Sequence, residues 1–155
     1  MWILRHGKTR TRVHLHRIGC LPSPRCPFCP NRDESLQHLF FACPRLRLFW
    51  RKTLGGARSA TPSCVGDAWD VFRYNHRRWD APTCSTVFSG MLWVLWKARN
   101  RMVFDSVRVP LPDILASVTD HLLLWKIRAP SRLDFSGVEQ WCASLCVVNR
   151  CLTNR

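Results

Sequence analysis

The sequence predicts a mainly α-helical protein: a small helical module stapled by a Cys3His set, followed by a small helical region. Three observations support this. The first is the run Cys26-Pro-Phe-Cys29, eight residues, His38, four residues, Cys43. The second is a set of apolar stripes at helical spacing in the second half of the chain. The third is Leu54-Gly-Gly-Ala-Arg-Ser-Ala-Thr-Pro62-Ser63, a linker composition that separates the two. The expected organisation is a module over 1–54, an irregular connection over 55–85 and a helical C-terminal region over 86–155.

Within the module, Pro27 and Pro30 shape a turn from which both thiols of Cys26 and Cys29 can reach one point. Asn31 followed by Glu34 reads as a capping box that starts a helix, with Asp33 and Glu34 near its positive end. Leu36, Leu39 and Phe40 fall at helical spacing, and Pro44 ends the helix near Cys43. His38 then lies about one turn before Cys43, and both can face the Cys26–Cys29 turn. Three sulfurs and one nitrogen suit a closed, tetrahedral structural Zn²⁺ site, so one Zn²⁺ on Cys26, Cys29, His38 and Cys43 is expected. Two other readings compete: buried thiols beside a core histidine in a chain with nine cysteines, and a redox Cys-x-x-Cys, around which no βαβ pattern appears. His14, His16 and Cys20 are further donors that could substitute in the set. The spacing is not that of a retroviral knuckle, whose middle gap is half as long.

Further along, residues 64–87 carry Trp69, Phe72, Tyr74 and Trp79, with a short helix expected near 67–75. Residues 86–104 read as a helix with Leu92, Leu95, Trp96 and Val103 on one face. Residues 112–127 read as another: Pro112 suits its first turn, and Ile114, Leu115, Val118, Leu122 and Trp125 form its stripe. A last helix is expected from Ser136, with Glu139 completing a second capping box and Val138, Trp141, Leu145 and Val148 lining it. The three can pack as a bundle, or present amphipathic faces to a protein partner. Cys142, Cys146 and Cys151 could form a second metal site, but read more simply as small buried hydrophobes.

Composition narrows the function classes. Hydrophobic content of 46% argues against wholesale disorder. Nine cysteines, an odd number, without a signal peptide point to a reducing intracellular compartment, nucleus or cytoplasm. The longest apolar stretches, 91–96 and 122–125, fall far short of the roughly 20 residues of a bilayer span, so no membrane partner is expected. Net charge is +14, and residues 1–66 hold twelve Lys/Arg against the two acids Asp33 and Glu34. Basic runs on both sides of the ligand block make RNA or DNA, bound non-specifically, the expected partner. Candidate contacts are Lys8, Arg10, Arg12, Arg25, Arg45 and Arg47, with Phe28 at the tip of the turn as an exposed stacking ring. Phe40 and Trp50 read instead as core. Arginines number twenty and lysines four, a bias that coding composition alone can produce.

The residues also resemble a known family: the zinc-binding domain that follows the polymerase in plant LINE-type (non-LTR) retrotransposon reverse transcriptases. The resemblance is carried by Cys26-Pro-Phe-Cys29, Glu34-Ser-Leu-Gln-His38-Leu-Phe-Phe-Ala-Cys43-Pro44 and Phe49-Trp50. It covers residues 2 to about 50 well, including the upstream run 2–19, and residues 88–104 loosely. It implies zinc on the four ligands and contact with nucleic acid near a reverse transcriptase. No polymerase carboxylate pair or nuclease constellation accompanies it, and a closed four-ligand site leaves no position for a catalytic water. The expectation is therefore a non-enzymatic tail piece of a retroelement, or a gene derived from one. The rival expectations are a protein-interaction scaffold, whose C-terminal helices dock a reverse transcriptase or another protein, and a decayed fragment without a selected role.

Overall fold

The computed structural model describes residues 9–54, 62–130 and 133–153, and the side chains of these up to Leu145. Thr11 opens the first helix, α1 (Arg12–Arg17), by accepting the His14 N–H on its hydroxyl at 3.4 Å. Gly19, at φ +75°, closes it from the left-handed region that glycine enters without steric cost.

A short hairpin follows. The Cys26 N–H donates to the Arg32 carbonyl at 2.8 Å and the Glu34 N–H to the Pro24 carbonyl at 2.9 Å, around an isolated antiparallel bridge between Arg25 and Asp33. Among the described residues there is no longer strand. The hairpin explains why the expected Asn31–Glu34 capping box does not form. Its returning arm is extended through Asp33, and Ser35 caps the helical turn instead, accepting the His38 N–H at 3.0 Å.

That turn is a π-helical one over His38–Ala42, followed by a 3-10 turn at Pro44–Leu46 and by α2 (Arg47–Thr53). Phe40 and Trp50 are core residues, as expected, and the Trp50 indole donates to the Phe40 carbonyl at 2.5 Å.

α3 (Val65–Asn75) is capped by the Cys64 sulfur, and its last residue, Asn75, donates to the Leu54 carbonyl at the end of α2. α4 (Ala81–Phe104) begins five residues before the expected start at 86. The Asp80 carboxylate accepts from the Thr83 N–H at 2.7 Å and from its hydroxyl at 2.8 Å, with Pro82 in the first turn, a strong N-terminal signal. α4 is buried on more than one face because α3 and the module pack on one side and α5 (Leu111–Arg128) on the other. Gly90 permits the closest approach there: a Cβ would lie 3.1 Å from a Leu122 methyl and 3.3 Å from the Trp125 ring.

α6 (Ser136–Thr153) packs on α5 and starts where expected, but not through a capping box. The Ser136 N–H and hydroxyl both donate to Asp134, at 2.9 and 2.7 Å, while Glu139 forms an ion pair with Lys126 of α5. Phe72, His76, Trp79 and Trp141 bring α3, the turn after it and α6 into one aromatic cluster. Burial there pushes the His76 imidazole down to about 4, so it is neutral at physiological pH.

One buried core runs from Cys26 and Phe40 through Trp50 and Phe88 to Leu145. Among the described residues, one ion pair crosses it. Arg99 of α4 and Glu34 of the hairpin are both fully buried, with Nη2 to Oε1 at 2.6 Å and Nε to the two carboxylate oxygens at 3.1 and 3.0 Å. Glu34 also accepts the Arg12 N–H at 2.6 Å, and Arg99 reaches the Arg10 carbonyl at 3.3 Å. The Arg99 guanidinium lies over the Trp96 ring, 4.7 Å from its centroid. Removing one partner strands a buried charge, so Arg99→Met is expected to cost about 3–5 kcal/mol in urea unfolding. Glu34→Leu combined with Arg99→Met should recover most of that loss. A double variant no more stable than Arg99→Met alone would show that the hydrogen bonds to Arg10 and Arg12, rather than the charges, carry the contact.

Candidate metal centre

The hairpin and the π turn exist to converge four side chains. Cys26 sits on the paired arm and Cys29 three residues beyond, across Pro27 and Phe28, so both sulfurs emerge from one tight turn. His38 and Cys43 are five residues apart. On an α-helix five residues rotate by about 500°, leaving the two on different faces. The wider π turn, with its i→i+5 hydrogen bonds, brings Cys43 back toward the side from which His38 points. Such turns are rare and concentrate at functional sites.

All four residues are buried, and their ligand atoms lie within 4.8 Å of one another. The Cys29 sulfur is 3.1 Å from His38 Nε2, and the Cys26 and Cys43 sulfurs are 4.0 Å apart. Together these four could hold a metal ion. The electrostatics agree with that reading. The contact with Cys43 holds the Cys26 thiol well below its ordinary range, at about 5, while Cys43 itself is pushed far up by the same contact. Burial raises Cys29. Three sulfurs packed this closely cannot all be thiolates unless a cation takes the place of their protons.

Other residues singled out in the sequence behave differently. His14, His16 and Cys20 do not join the cluster: His14 faces Arg17 at 3.2 Å, His16 bonds the Leu21 carbonyl at 2.9 Å, and Cys20 is exposed. Cys142 is buried, while the side chains of Cys146 and Cys151 lie outside the described residues, as does Lys8. Arg10, Arg25, Arg45 and Arg47 are exposed. Arg25 forms a 3.4 Å pair with Asp33 in which both side chains are more than half exposed, a contact of little energy. Arg12 is half-buried, with its Nε on the Ser23 carbonyl at 3.1 Å. Phe28 is a correction: it is half-buried against the core, because the turn that carries it folds onto the 3-10 turn and the segment after α4.

Sequence reasoning missed the partner of Glu34. The signal was present, since Arg99 falls within the stripe formed by Leu92, Leu95, Trp96 and Val103, where an unpaired charge would be expelled. His38→Ala and Cys43→Ser should each abolish stoichiometric metal in native mass spectrometry, whereas His14→Ala and Cys20→Ser should keep it. Full metal retention in Cys43→Ser would disqualify the cluster.

A family model described as zinc-binding in reverse transcriptase matches residues 1–50, the stretch that contains all four donors. Neither the curated proteins nor the solved structures contain a match to this chain. The N-terminal third of the chain is thus similar to the zinc-binding segment of reverse transcriptases.

Proposed function

We propose that this chain is a structural zinc module with a helical extension, derived from a non-LTR (LINE-type) retrotransposon reverse transcriptase, and that it binds nucleic acid non-specifically through basic side chains. The observation that carries the zinc assignment is the buried cluster of three sulfurs and one imidazole within 4.8 Å, inside a segment similar to a zinc-binding family. Zn–S bonds of about 2.3 Å in a tetrahedron place sulfurs about 3.8 Å apart, against 4.0 Å for Cys26 and Cys43. Thiolate-rich sets of this kind favour Zn²⁺ over the hard cations. With four protein donors the ion is structural, holding the hairpin on the π turn.

Charge supports the second half of the reading. Arg10, Arg45 and Arg47 are exposed and form no ion pair among the described residues, and the two acids of the module are engaged by Arg25 and Arg99. Basic charge around the zinc turn therefore stands uncompensated, in a chain of net charge +14. A second reading, a protein-interaction scaffold, draws on Leu123, Leu124 and Ile127. These exposed residues share one face of α5, with Ile127 80% accessible. No helix among the described residues is long and apolar enough to cross a membrane.

Fluorescence anisotropy against single strands over a salt series separates the readings. Affinity should fall steeply with salt, with a log–log slope of about −0.7 per neutralised phosphate. Arg10→Ala, Arg45→Ala and Arg47→Ala together should shallow that slope by about 2 while zinc content stays unchanged. A slope near zero, or self-association through the helices without affinity for nucleic acid, would favour the scaffold.

A further inference from the structure

Between the zinc turn and the α4–α5 connection lies an open groove of about 310 Å³. Phe28, from the turn between the first two cysteines, lines it together with Leu48 of α2, Met102 near the end of α4 and Val109 of the connection. Two cations line the same groove: Arg45 from the 3-10 turn and Arg108 from the connection. Both are exposed, and neither guanidinium has an ion pair or hydrogen bond among the described residues.

We propose that this groove receives one unpaired nucleobase of a single-stranded nucleic acid, with the adjoining phosphates on Arg45 and Arg108. The proposal rests on the nucleic-acid reading above and adds to it a place and a strand preference. The volume lies at the small end of ligand sites, enough for a single planar ring system and too little for an extended ligand. An apolar peptide side chain would fill the floor but leave two guanidinium groups without counter-charge at its rim. A nucleotide supplies both halves at once, a flat apolar base and an anion one sugar away. A base inside a duplex is already stacked and paired, so only an unpaired one can enter. Phe28 is the aromatic surface on which it would stack. The groove has one wall on the zinc turn and the other on the helices, so it is complete only when the module is docked on α4.

Anisotropy titrations of the zinc-loaded chain against oligo(U) and against a duplex of equal length, at one salt concentration, test this. Phe28→Leu should weaken oligo(U) binding by about fivefold or more and leave duplex binding unchanged, Arg108→Ala should weaken oligo(U) binding by more than it weakens duplex binding, and Phe28→Tyr should bind oligo(U) like the parent chain. Zinc is counted on every variant. If Phe28→Leu has lost it, Arg108→Ala decides, since that residue lies on the wall remote from the ligands. Equal losses on single and double strands, or none, would overturn the base slot while leaving backbone-charge binding intact. Failure of the parent chain to bind either form would overturn both.

Discussion

The Glu34–Arg99 pair is the contact on which the remaining geometry depends. It is the ion pair among the described residues that is fully buried, and it joins positions 65 residues apart. Two ions taken out of water are costly, and their attraction offsets that cost only where the remaining donors and acceptors are satisfied. Here they are: the carboxylate takes the Arg12 N–H, and the guanidinium takes the Arg10 carbonyl and the Asn100 side chain. These partners come from the segment before α1, from the first residue of α1 and from α4. The pair therefore fixes the position of the zinc turn relative to the helices more than it adds net stability, since an apolar pair of similar size would pack there at less electrostatic cost.

The proposed metal site and the core would divide the work along the chain. A hairpin and one helical turn bury too little apolar surface to persist alone. Structural zinc can supply on the order of 10–16 kcal/mol of apparent folding free energy in such modules. The core supplies the rest, because Phe41 stacks on Trp50, 5.4 Å between centroids, and Trp50 meets Phe88 of α4 at 6.2 Å. Ligands, aromatic ladder and ion pair thus hold the same surface in place from three directions. The groove between the turn and the α4–α5 connection is a by-product of that docking.

Much of this was legible in the sequence where the governing chemistry is local. Cys26, Cys29, His38 and Cys43 announce themselves by residue type and spacing, and the stripes of α5 and α6 by period. Neither capping box forms: Asn31–Glu34 is drawn into the hairpin and Ser136 donates to Asp134, which leaves Glu34 and Glu139 to the distant cations Arg99 and Lys126. The early start of α4 is carried by Asp80-Ala-Pro82-Thr83, a cap signal that precedes the apolar stripe by several residues. Phe28 looked exposed because a turn tip usually is. Its burial depends on a connection some eighty residues away, and no local pattern carries that information.

The Cys3His turn and the helices form one unit joined at Glu34 and Arg99. Hydrogen–deuterium exchange of the full chain, with zinc bound and after chelation, tests it directly. Chelation should release protection in the hairpin and, together with it, in the middle of α4 around residues 92–103. If the hairpin opens while α4 keeps its full protection, the module is an appendage and the ion pair is not what holds the two together.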